Sequence, residues 1–144
     1  MPIECASPLN PIQQDEFKAL DYAVTGLAFE THTGLGRLFN EDVYSNELAH
    51  RLSTANFDAQ QEVEIKVRYN SFSKSYFIDL LINGSIPYEL KATNTINAKH
   101  SAQLLNYLYL TNTPPQGKIL NFRPRSLETP KWKRARKTPT ATPD

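Results

Sequence analysis

The stretch "YFIDLLINGSIPYELKA", residues 76–92, contains the pattern that decides both the fold and the chemistry. Apolar residues on either side of an Asn-Gly dipeptide predict two short strands joined by a tight turn. Charged residues interrupt these strands, Asp79 in the first and Glu89 and Lys91 in the second. An unpaired charge is costly to bury, so such residues are usually paired with each other or bound to a metal.

The length of the turn decides which face of the sheet Asp79 occupies. Glu89 and Lys91 are two residues apart on one strand, so their side chains share a face. A two-residue loop, the usual geometry for Asn-Gly, would put Asp79 on the opposite face. A longer loop, with Gly84 in the left-handed position of a bulge, brings Asp79 to the face of the other two. We predict a three-residue loop, because only this loop brings the charged residues together.

The composition is that of an ordinary globular protein. The chain has 144 residues, of which 40% are hydrophobic and 22% charged, and this suits one domain with a buried core. No apolar run approaches the ~20 residues of a membrane span. The N-terminus lacks a signal-peptide pattern, and a single cysteine excludes an internal disulfide. We therefore expect a cytoplasmic protein with no membrane partner.

Positive charge is concentrated at the C-terminal end. Residues 1–117 hold 8 Lys/Arg and 13 Asp/Glu, a balance of −5, whereas residues 118–144 hold 8 Lys/Arg and 2 Asp/Glu, a balance of +6. The polar composition predicts a flexible N-terminus at 1–9, one domain over 10–125 and a basic disordered tail over 126–144. The tail is either a solubilising end or an arm that attracts phosphates through Lys131, Lys133, Arg134, Arg136 and Lys137.

Periodicity predicts seven elements in the order α, α, β, β, β, α, β. The first helix should end at Gly34 or Gly36, and the third should span 98–112. The second helix has an apolar stripe of Leu38, Tyr44 or Ser45, Leu48 and Leu52. The strands should lie near 61–69, 75–82, 85–92 and 117–122. His32 and His50 have no metal-ligand spacing and are most simply helix-surface residues.

Glu41 is the candidate site residue of the second predicted helix. It lies three residues after Leu38 and seven before Leu48, so we expect it on the inward stripe rather than paired with a lysine at the surface. Together with Asp79 and Glu89 it would form a group of carboxylates that repel one another unless a cation lies between them. Oxygen ligands favour a hard ion such as Mg²⁺, and this combination is typical of metal-assisted phosphodiester cleavage.

The charged residues of the two strands resemble the motif of the PD-(D/E)XK nuclease superfamily. Asp79 resembles its lone acid, and "ELK", residues 89–91, resembles its (D/E)-x-K. "QLLNY", residues 103–107, is similar to the Q-x-x-x-Y motif of RecB-type exonucleases. "GKILNF", residues 117–122, resembles the closing strand of the bacterial proteins named after their GxxExxY motif.

The GxxExxY motif itself matches only in part. Glu41 and Tyr44 keep the E-x-x-Y spacing, which would make Tyr44 a supporting residue of the site. Gly36 lies five residues before Glu41 instead of three, which implies a slightly longer entry into the helix. The whole resemblance covers roughly residues 15–123, and its combined motifs are more specific than any one alone.

The resemblance implies a restriction-endonuclease-like α/β fold, with an αβββαβ core, a mixed sheet flanked by helices and an extra N-terminal helix. It implies a nuclease whose Mg²⁺ or Mn²⁺ is bound by Glu41, Asp79 and Glu89. Lys91 would orient or deprotonate the attacking water. Gln103 would approach the metal or a phosphate, and Tyr107 would support it. The implied partner is nucleic acid, with DNA favoured and RNA left open. So small a nuclease would often work as a homodimer or within a larger complex.

Two functions stay open at this point. One is an active metal-dependent nuclease, and the presence of every catalytic residue type favours it. The other is a catalytically inactive nuclease-like subunit that binds or regulates, touching nucleic acid through its basic tail. The acidic balance of residues 1–117 and the small size favour this second function. A two-carboxylate hydrolase is a distant third, because it would leave Lys91 and Gln103 without a role.

Overall fold

A computed structural model describes residues 4–5, 10, 12–69, 71–94, 117–129 and 131–132. The helices are α1 (Gln14–Leu35) and α2 (Glu41–Thr54). The strands are β1 (Glu4–Cys5), β2 (Ala59–Tyr69), β3 (Phe72–Ile82), β4 (Ile86–Lys91), β5 (Gly117–Asn121) and β6 (Lys131–Trp132). The predicted third helix lies outside the described residues. Neither α1 nor α2 is long and apolar enough to pass through a bilayer.

The strands form one mixed sheet in the order β1-β2-β3-β4-β5-β6. β4 and β5 run parallel, with Lys91 paired to Asn121, and the other neighbouring strands are antiparallel. α1 and α2 cover one face of this sheet through a shared apolar core. The predicted α/β class, with a mixed sheet flanked by helices, is confirmed.

α1 ends where its glycine signal predicts, and a side-chain contact caps its start. At its start, the backbone N–H of Gln13 donates to Glu16 Oε1 at 3.1 Å, which is half of a capping box. At its end, Gly36 has φ 81 and its N–H donates to His32 O at 2.8 Å. Glycine adopts this left-handed conformation at little cost, so it closes the helix without strain.

α2 begins at Glu41, three residues after Leu38, where the predicted apolar stripe begins. Leu38 lies in the α1–α2 loop and is 76% exposed, so it does not belong to the helix. Leu48 and Leu52 are fully buried, as predicted. Glu41 is the first residue of α2 and is exposed, so the prediction that it lies on the inward stripe is wrong. The apolar periodicity of the sequence continues through the α1–α2 loop. It therefore predicts a stripe that joins Leu38 to Glu41, although Leu38 is not part of the helix. A carboxylate is favourable in the first turn, where the helix dipole is positive.

The core lies between the two helices and the sheet. Its fully buried apolar side chains include Phe17, Val24, Tyr44, Leu48, Leu52, Leu80, Ile82, Ile86, Tyr88 and Leu120. Because alternate strand residues face the same side, Leu80 and Ile82 of β3 and Tyr88 and Leu90 of β4 all point towards the helices. The residues that alternate with them along the strands, including Asp79 and Glu89, point to the other face of the sheet.

A polar group is buried within this core, and we call it the core ion cluster: Asp21, Thr25, Tyr88 and Lys118. Lys118 Nζ lies 2.9 Å from Asp21 Oδ2 and 3.0 Å from Thr25 Oγ1. The Tyr88 hydroxyl donates to Asp21 Oδ1 at 2.8 Å. Burial and the Asp21 charge raise the pKa of Tyr88, so the phenol keeps its proton and donates it. Both charges of the cluster therefore have partners.

The β3–β4 hairpin has the predicted three-residue loop. Ile82 pairs with Ile86, which leaves Asn83, Gly84 and Ser85 in the turn. Asn83 and Gly84 have φ 53 and 68, so both are left-handed, whereas the sequence predicted this only for the glycine. The Asn83 side chain also accepts from the backbone N–H of Asp58 at 2.9 Å, which ties the turn to the start of β2.

Strands that the sequence does not predict lie at both ends of the described chain. Glu4–Cys5 pairs with β2, and Lys131–Trp132 pairs with β5. Leu127 is 6% exposed and belongs to the core. The structure thus places these residues in the sheet or the core, while the division into a flexible 1–9, a domain over 10–125 and a disordered 126–144 stays a prediction. A sheet edge offers unpaired backbone groups, which even a short polar segment can satisfy, and composition does not reveal such pairing.

Candidate functional site

Two acidic side chains from neighbouring strands meet on the sheet face opposite the core. Leu80 pairs with Tyr88, so Asp79, one residue earlier on β3, lies across from Glu89, one residue later on β4. Lys91 lies two residues further along β4 and shares their face. The prediction that these charged residues share one face is confirmed by the pairing register.

The Asp79 carboxylate is partly buried and held by the backbone of β4. Its Oδ2 accepts from the Leu90 N–H at 2.8 Å. Burial raises the pKa of Asp79 more than this hydrogen bond lowers it. The negative charges of Glu62 and Glu41 raise the pKa further, and the Lys91 charge opposes them. Asp79 is thus a carboxylate under repulsion, which gives it a reason to attract a cation.

Glu89 is the most deeply buried group of the site, with 2% of its surface exposed. Burial, followed by the charge of Asp79, raises the pKa of Glu89 to about 9, while Lys91 acts in the opposite direction. Within the described part of the chain, its Oε2 is buried without a hydrogen-bond partner. Such groups are rare in native proteins and usually mark a functional site or an unfilled ion or water position.

Lys91 is half-buried at the end of β4. In the ranges that the structure describes, ion pairs are formed by Arg51 and Lys118 and none by Lys91. Its charge still lowers the pKa of both Asp79 and Glu89, so it lies close enough to act on them. Among the described residues, Lys91 therefore acts on the two carboxylates through its charge and not through an ion pair.

Glu41 lies beside the acidic pair. Its Oε2 accepts from the Ala92 N–H at 3.2 Å, just beyond the end of β4. Glu41 and Asp79 line one cleft of about 170 Å³, together with Asp42, Ser45, Glu62 and Leu90. Among the described residues, no three His, Cys, Asp or Glu side chains are grouped closely enough to hold a metal ion. The structure therefore brings Asp79 and Glu89 together and leaves Glu41 at the edge of the cleft.

Tyr44 is fully buried and supports the loop that carries Glu41. Its hydroxyl donates to Gly36 O at 2.6 Å and accepts from the Phe39 N–H at 3.3 Å. Its ring stacks on Phe122, with 4.4 Å between ring centroids. Tyr44 thus orders the α1–α2 loop from the core side and does not contact the acidic pair through these bonds.

Glu62 is a site residue that the sequence does not indicate. The β2–β3 register places it across from Asp79, because Gln61 pairs with Leu80 and Val63 with Ile78. Its φ is 52, a left-handed conformation that costs a non-glycine residue about 1–2 kcal/mol. Strain of this kind concentrates at functional sites. The alternating pattern of β2 predicts a solvent-facing glutamate, and nothing in that pattern reports the backbone angle.

The remaining predicted residues lie away from the acidic pair or outside the described ranges. Gln103, Tyr107, Lys133, Arg134, Arg136 and Lys137 all lie outside them. Lys131 lies in β6, where it pairs with Lys118. His32 is 8% exposed, and its Nε2 lies 2.9 Å from Pro124 O. The prediction of a surface position for His32 is wrong, because the segment after β5 folds back over the end of α1.

The chain matches one family model, described as the PD-(D/E)XK nuclease superfamily, over residues 18–135. No curated protein and no solved structure matches it significantly. The matched span covers most of the chain and contains Asp79, Glu89 and Lys91. It also extends past Leu127, in agreement with the buried position of that residue. The chain belongs to the PD-(D/E)XK nuclease superfamily.

Proposed function

We propose that this protein is a nuclease that hydrolyses phosphodiester bonds of nucleic acid with the help of a divalent cation, Mg²⁺ or Mn²⁺. The observation that carries the proposal is the buried pair of Asp79 and Glu89, with an unpartnered Glu89 oxygen in the described structure. A lysine without an ion-pair partner there shares the same face. Membership of a nuclease superfamily supports the same conclusion.

Asp79 and Glu89 suit a hard divalent cation. Mg²⁺ is usually held by one or two carboxylates, with waters and substrate phosphates completing its shell. Burial, followed by repulsion between carboxylates, raises the pKa of both groups; a cation would offset these effects and give the buried Glu89 oxygen a partner. When bound, the cation supplies Lewis-acid polarisation of the phosphate and a more acidic water. Glu41, at the edge of the cleft, would complete the site or hold a second ion.

Lys91 would act on the reacting groups directly. Its ammonium can donate a hydrogen bond to a phosphate oxygen or orient the attacking water, since the described residues leave it without an ion pair. Hydrolysis then forms a bond from the water oxygen to phosphorus and breaks the bond to one sugar oxygen. Gln103 and Tyr107 are assigned supporting roles on the resemblance alone. The Glu41–Tyr44 spacing and the closing strand further support membership of the GxxExxY group.

The test is cleavage of labelled single- and double-stranded DNA and RNA in the presence of Mg²⁺, Mn²⁺ or EDTA. We expect cleavage of DNA with either metal and none with EDTA. Lys91→Ala should lower the rate by about 100-fold or more, the usual effect of losing one preorganised donor. Lys66→Ala is a matched control, because Lys66 is also a half-buried strand lysine but lies on β2, opposite Ser75.

The opposite result would support the alternative function. Binding of nucleic acid without cleavage in either metal, unchanged by Lys91→Ala, would favour a binding or regulatory subunit. The acidic balance of residues 1–117 is the feature that agrees with this outcome.

The basic C-terminal segment should contribute affinity and not chemistry. β6 attaches its start to β5, and four cations follow directly: Lys133, Arg134, Arg136 and Lys137. Deleting residues 133–144 should reduce the slope of log K against log [salt] by up to about 3.6, since each of four phosphate contacts adds roughly 0.7–0.9. At saturating substrate the rate should stay near that of the full chain. Loss of turnover with unchanged affinity would show instead that this segment reaches the active site.

A further inference from the structure

We propose that Arg123 is a positioning residue of this site, which clamps the α1–α2 loop and so holds Glu41 against the end of β4. The inference rests on the proposed function, because Glu41 matters only if the cleft binds a metal. No sequence motif indicates Arg123. It lies two residues after the end of β5 and far from Glu41 along the chain.

The guanidinium of Arg123 bridges two separate segments through backbone carbonyls. Its Nη1 donates to Arg37 O at 2.7 Å, and its Nη2 donates to Phe39 O at 3.0 Å. Its Nε donates to Ala92 O at 3.4 Å. In return, Arg37 Nε donates to the Arg123 carbonyl at 2.7 Å. The α1–α2 loop and the end of β4 are therefore joined by one side chain.

The contacts of Arg123 lead to Glu41 along two routes, one through Phe39 and one through Ala92. Phe39 lies two residues before Glu41, separated from it only by the N-cap residue Asn40. Ala92 accepts from Arg123 through its carbonyl and donates to Glu41 through its N–H. Arg123, Ala92 and the segment 39–41 thus form a closed ring of hydrogen bonds and backbone. In this ring, Arg123 sets the distance between the α1–α2 loop and β4, the strand that carries Glu89 and Lys91. A cleft of about 410 Å³ opens beside this ring and is lined by Asn40, Glu41, Asp42, Ala92 and Arg123.

The loop is already ordered on its core side by Tyr44, which bonds Gly36 and Phe39. Removing Arg123 should therefore leave the loop folded and free only its outer side, where Glu41 lies. Arginine suits this role because its planar fork presents donors in several directions. A lysine carries its donors on one nitrogen, so it cannot reach both segments at once.

The experiment compares the full-length protein with Arg123→Ala and Arg123→Lys, with Arg125→Ala as the control. Arg125 is exposed and lies two residues further along the chain. Mg²⁺ affinity is measured by calorimetry without substrate, and kcat and KM are measured on a DNA strand. We expect Arg123→Ala to weaken Mg²⁺ binding and lower kcat by about 10- to 100-fold, the usual range for residues that orient metal ligands. KM should change little, Arg123→Lys should recover only part of the loss, and Arg125→Ala should match the wild type.

A double variant shows whether Arg123 acts through Glu41. Glu41→Gln combined with Arg123→Ala should bind Mg²⁺ about as weakly as Glu41→Gln alone, because the clamp has nothing left to position. Independent, multiplying losses would overturn the proposal. An unchanged Mg²⁺ affinity with a raised KM would also overturn it, and would show that Arg123 contacts the nucleic acid instead.

One measurement separates failure of the clamp from failure of the proposed function. Hydrogen exchange at the Ala92 amide, which donates to Glu41, reports the clamp without any metal. Exchange should be faster in Arg123→Ala than in Arg125→Ala. If wild-type protein binds no Mg²⁺ but this difference is seen, the proposed function fails and the clamp stands. Equal exchange rates in these two variants would overturn the clamp.

Discussion

The sheet carries two groups of buried acid and lysine side chains, one on each face, which differ in how well they are paired. In the core ion cluster, Lys118 lies 2.9 Å from Asp21, and Tyr88 donates to the same carboxylate. On the other face, Glu89 is buried beside Asp79 with one oxygen unpartnered among the described residues. Tyr88 and Glu89 are consecutive residues of β4, so a single strand supplies both groups.

The difference separates charges that the fold pairs internally from charges that we propose for the chemistry. The core ion cluster satisfies its charges internally, so it stabilises one arrangement of α1 on the sheet and has no capacity left for a ligand. We expect the acidic pair to lower the stability of the metal-free protein, since two carboxyl groups share a poorly solvated site. A protein retains such a cost where function requires it.

The largest expected effect comes from breaking the core ion cluster. Lys118→Met leaves the Asp21 charge buried without its partner and should lower the free energy of unfolding by about 3–5 kcal/mol. Lys91→Met removes the corresponding lysine of the acidic pair and should cost much less, because Lys91 is half-buried and forms no ion pair within the described residues. Urea denaturation at pH 7 measures both. Equal losses would mean that Lys91 is a structural partner of the acids.

The next effect is a pH dependence of stability caused by Glu89. Its pKa is raised from 4.5 to about 9 in the folded state, so the folded protein binds the proton more tightly than the unfolded chain. The resulting stabilisation is complete below pH 4.5 and is lost as the pH rises to about 9. Metal-free protein should therefore lose up to about 1.4 kcal/mol per pH unit in this window.

Glu89→Gln mimics the protonated side chain and should flatten this slope. The variant should be more stable than the wild type at pH 8, and Mg²⁺ should no longer raise its melting temperature. Asp79→Asn should likewise stabilise the metal-free protein, because it removes the charge that repels Glu89. Thermal melts from pH 5 to 9, in EDTA and in Mg²⁺, check these outcomes. Strong destabilisation by either substitution without Mg²⁺ would indicate a structural ion pair with Lys91.

The smallest effect concerns the strained backbone beside the acidic pair. Glu62→Gly removes a left-handed non-glycine residue and a negative charge close to Asp79. Removing the backbone strain should add about 1–2 kcal/mol to the free energy of unfolding. This gain should offset the ~0.5–1 kcal/mol that a glycine costs in a strand. Glu64→Gly on the same strand has no such relief and loses a hydrogen bond from Ser75, so it should be destabilising. Equal losses of stability in the two variants would mean that Glu62 carries no strain.

The predictions that the structure confirms depend on local rules. Alternation along β3 and β4, combined with the length of the loop between them, is enough to place Asp79 and Glu89 on one face. Gly36 ends α1 because glycine tolerates the left-handed conformation required there. The prediction for Glu41 failed because periodicity cannot show where a loop interrupts a helix, and Leu38 continues the apolar pattern while lying outside α2.

Sequence by itself determined the α/β class, the strand pair that carries the acids, and the superfamily motif at Asp79, Glu89 and Lys91. Only the tertiary structure decided which charges are satisfied. Asp21 and Lys118 lie nearly one hundred residues apart, and their pairing depends on how α1 packs across β5. The same holds for Arg123. Its three acceptors are backbone carbonyls, which every residue carries, so residue types alone do not reveal these contacts. Burial and long-range contact determine the energy of a charge, and neither quantity is encoded in a local pattern.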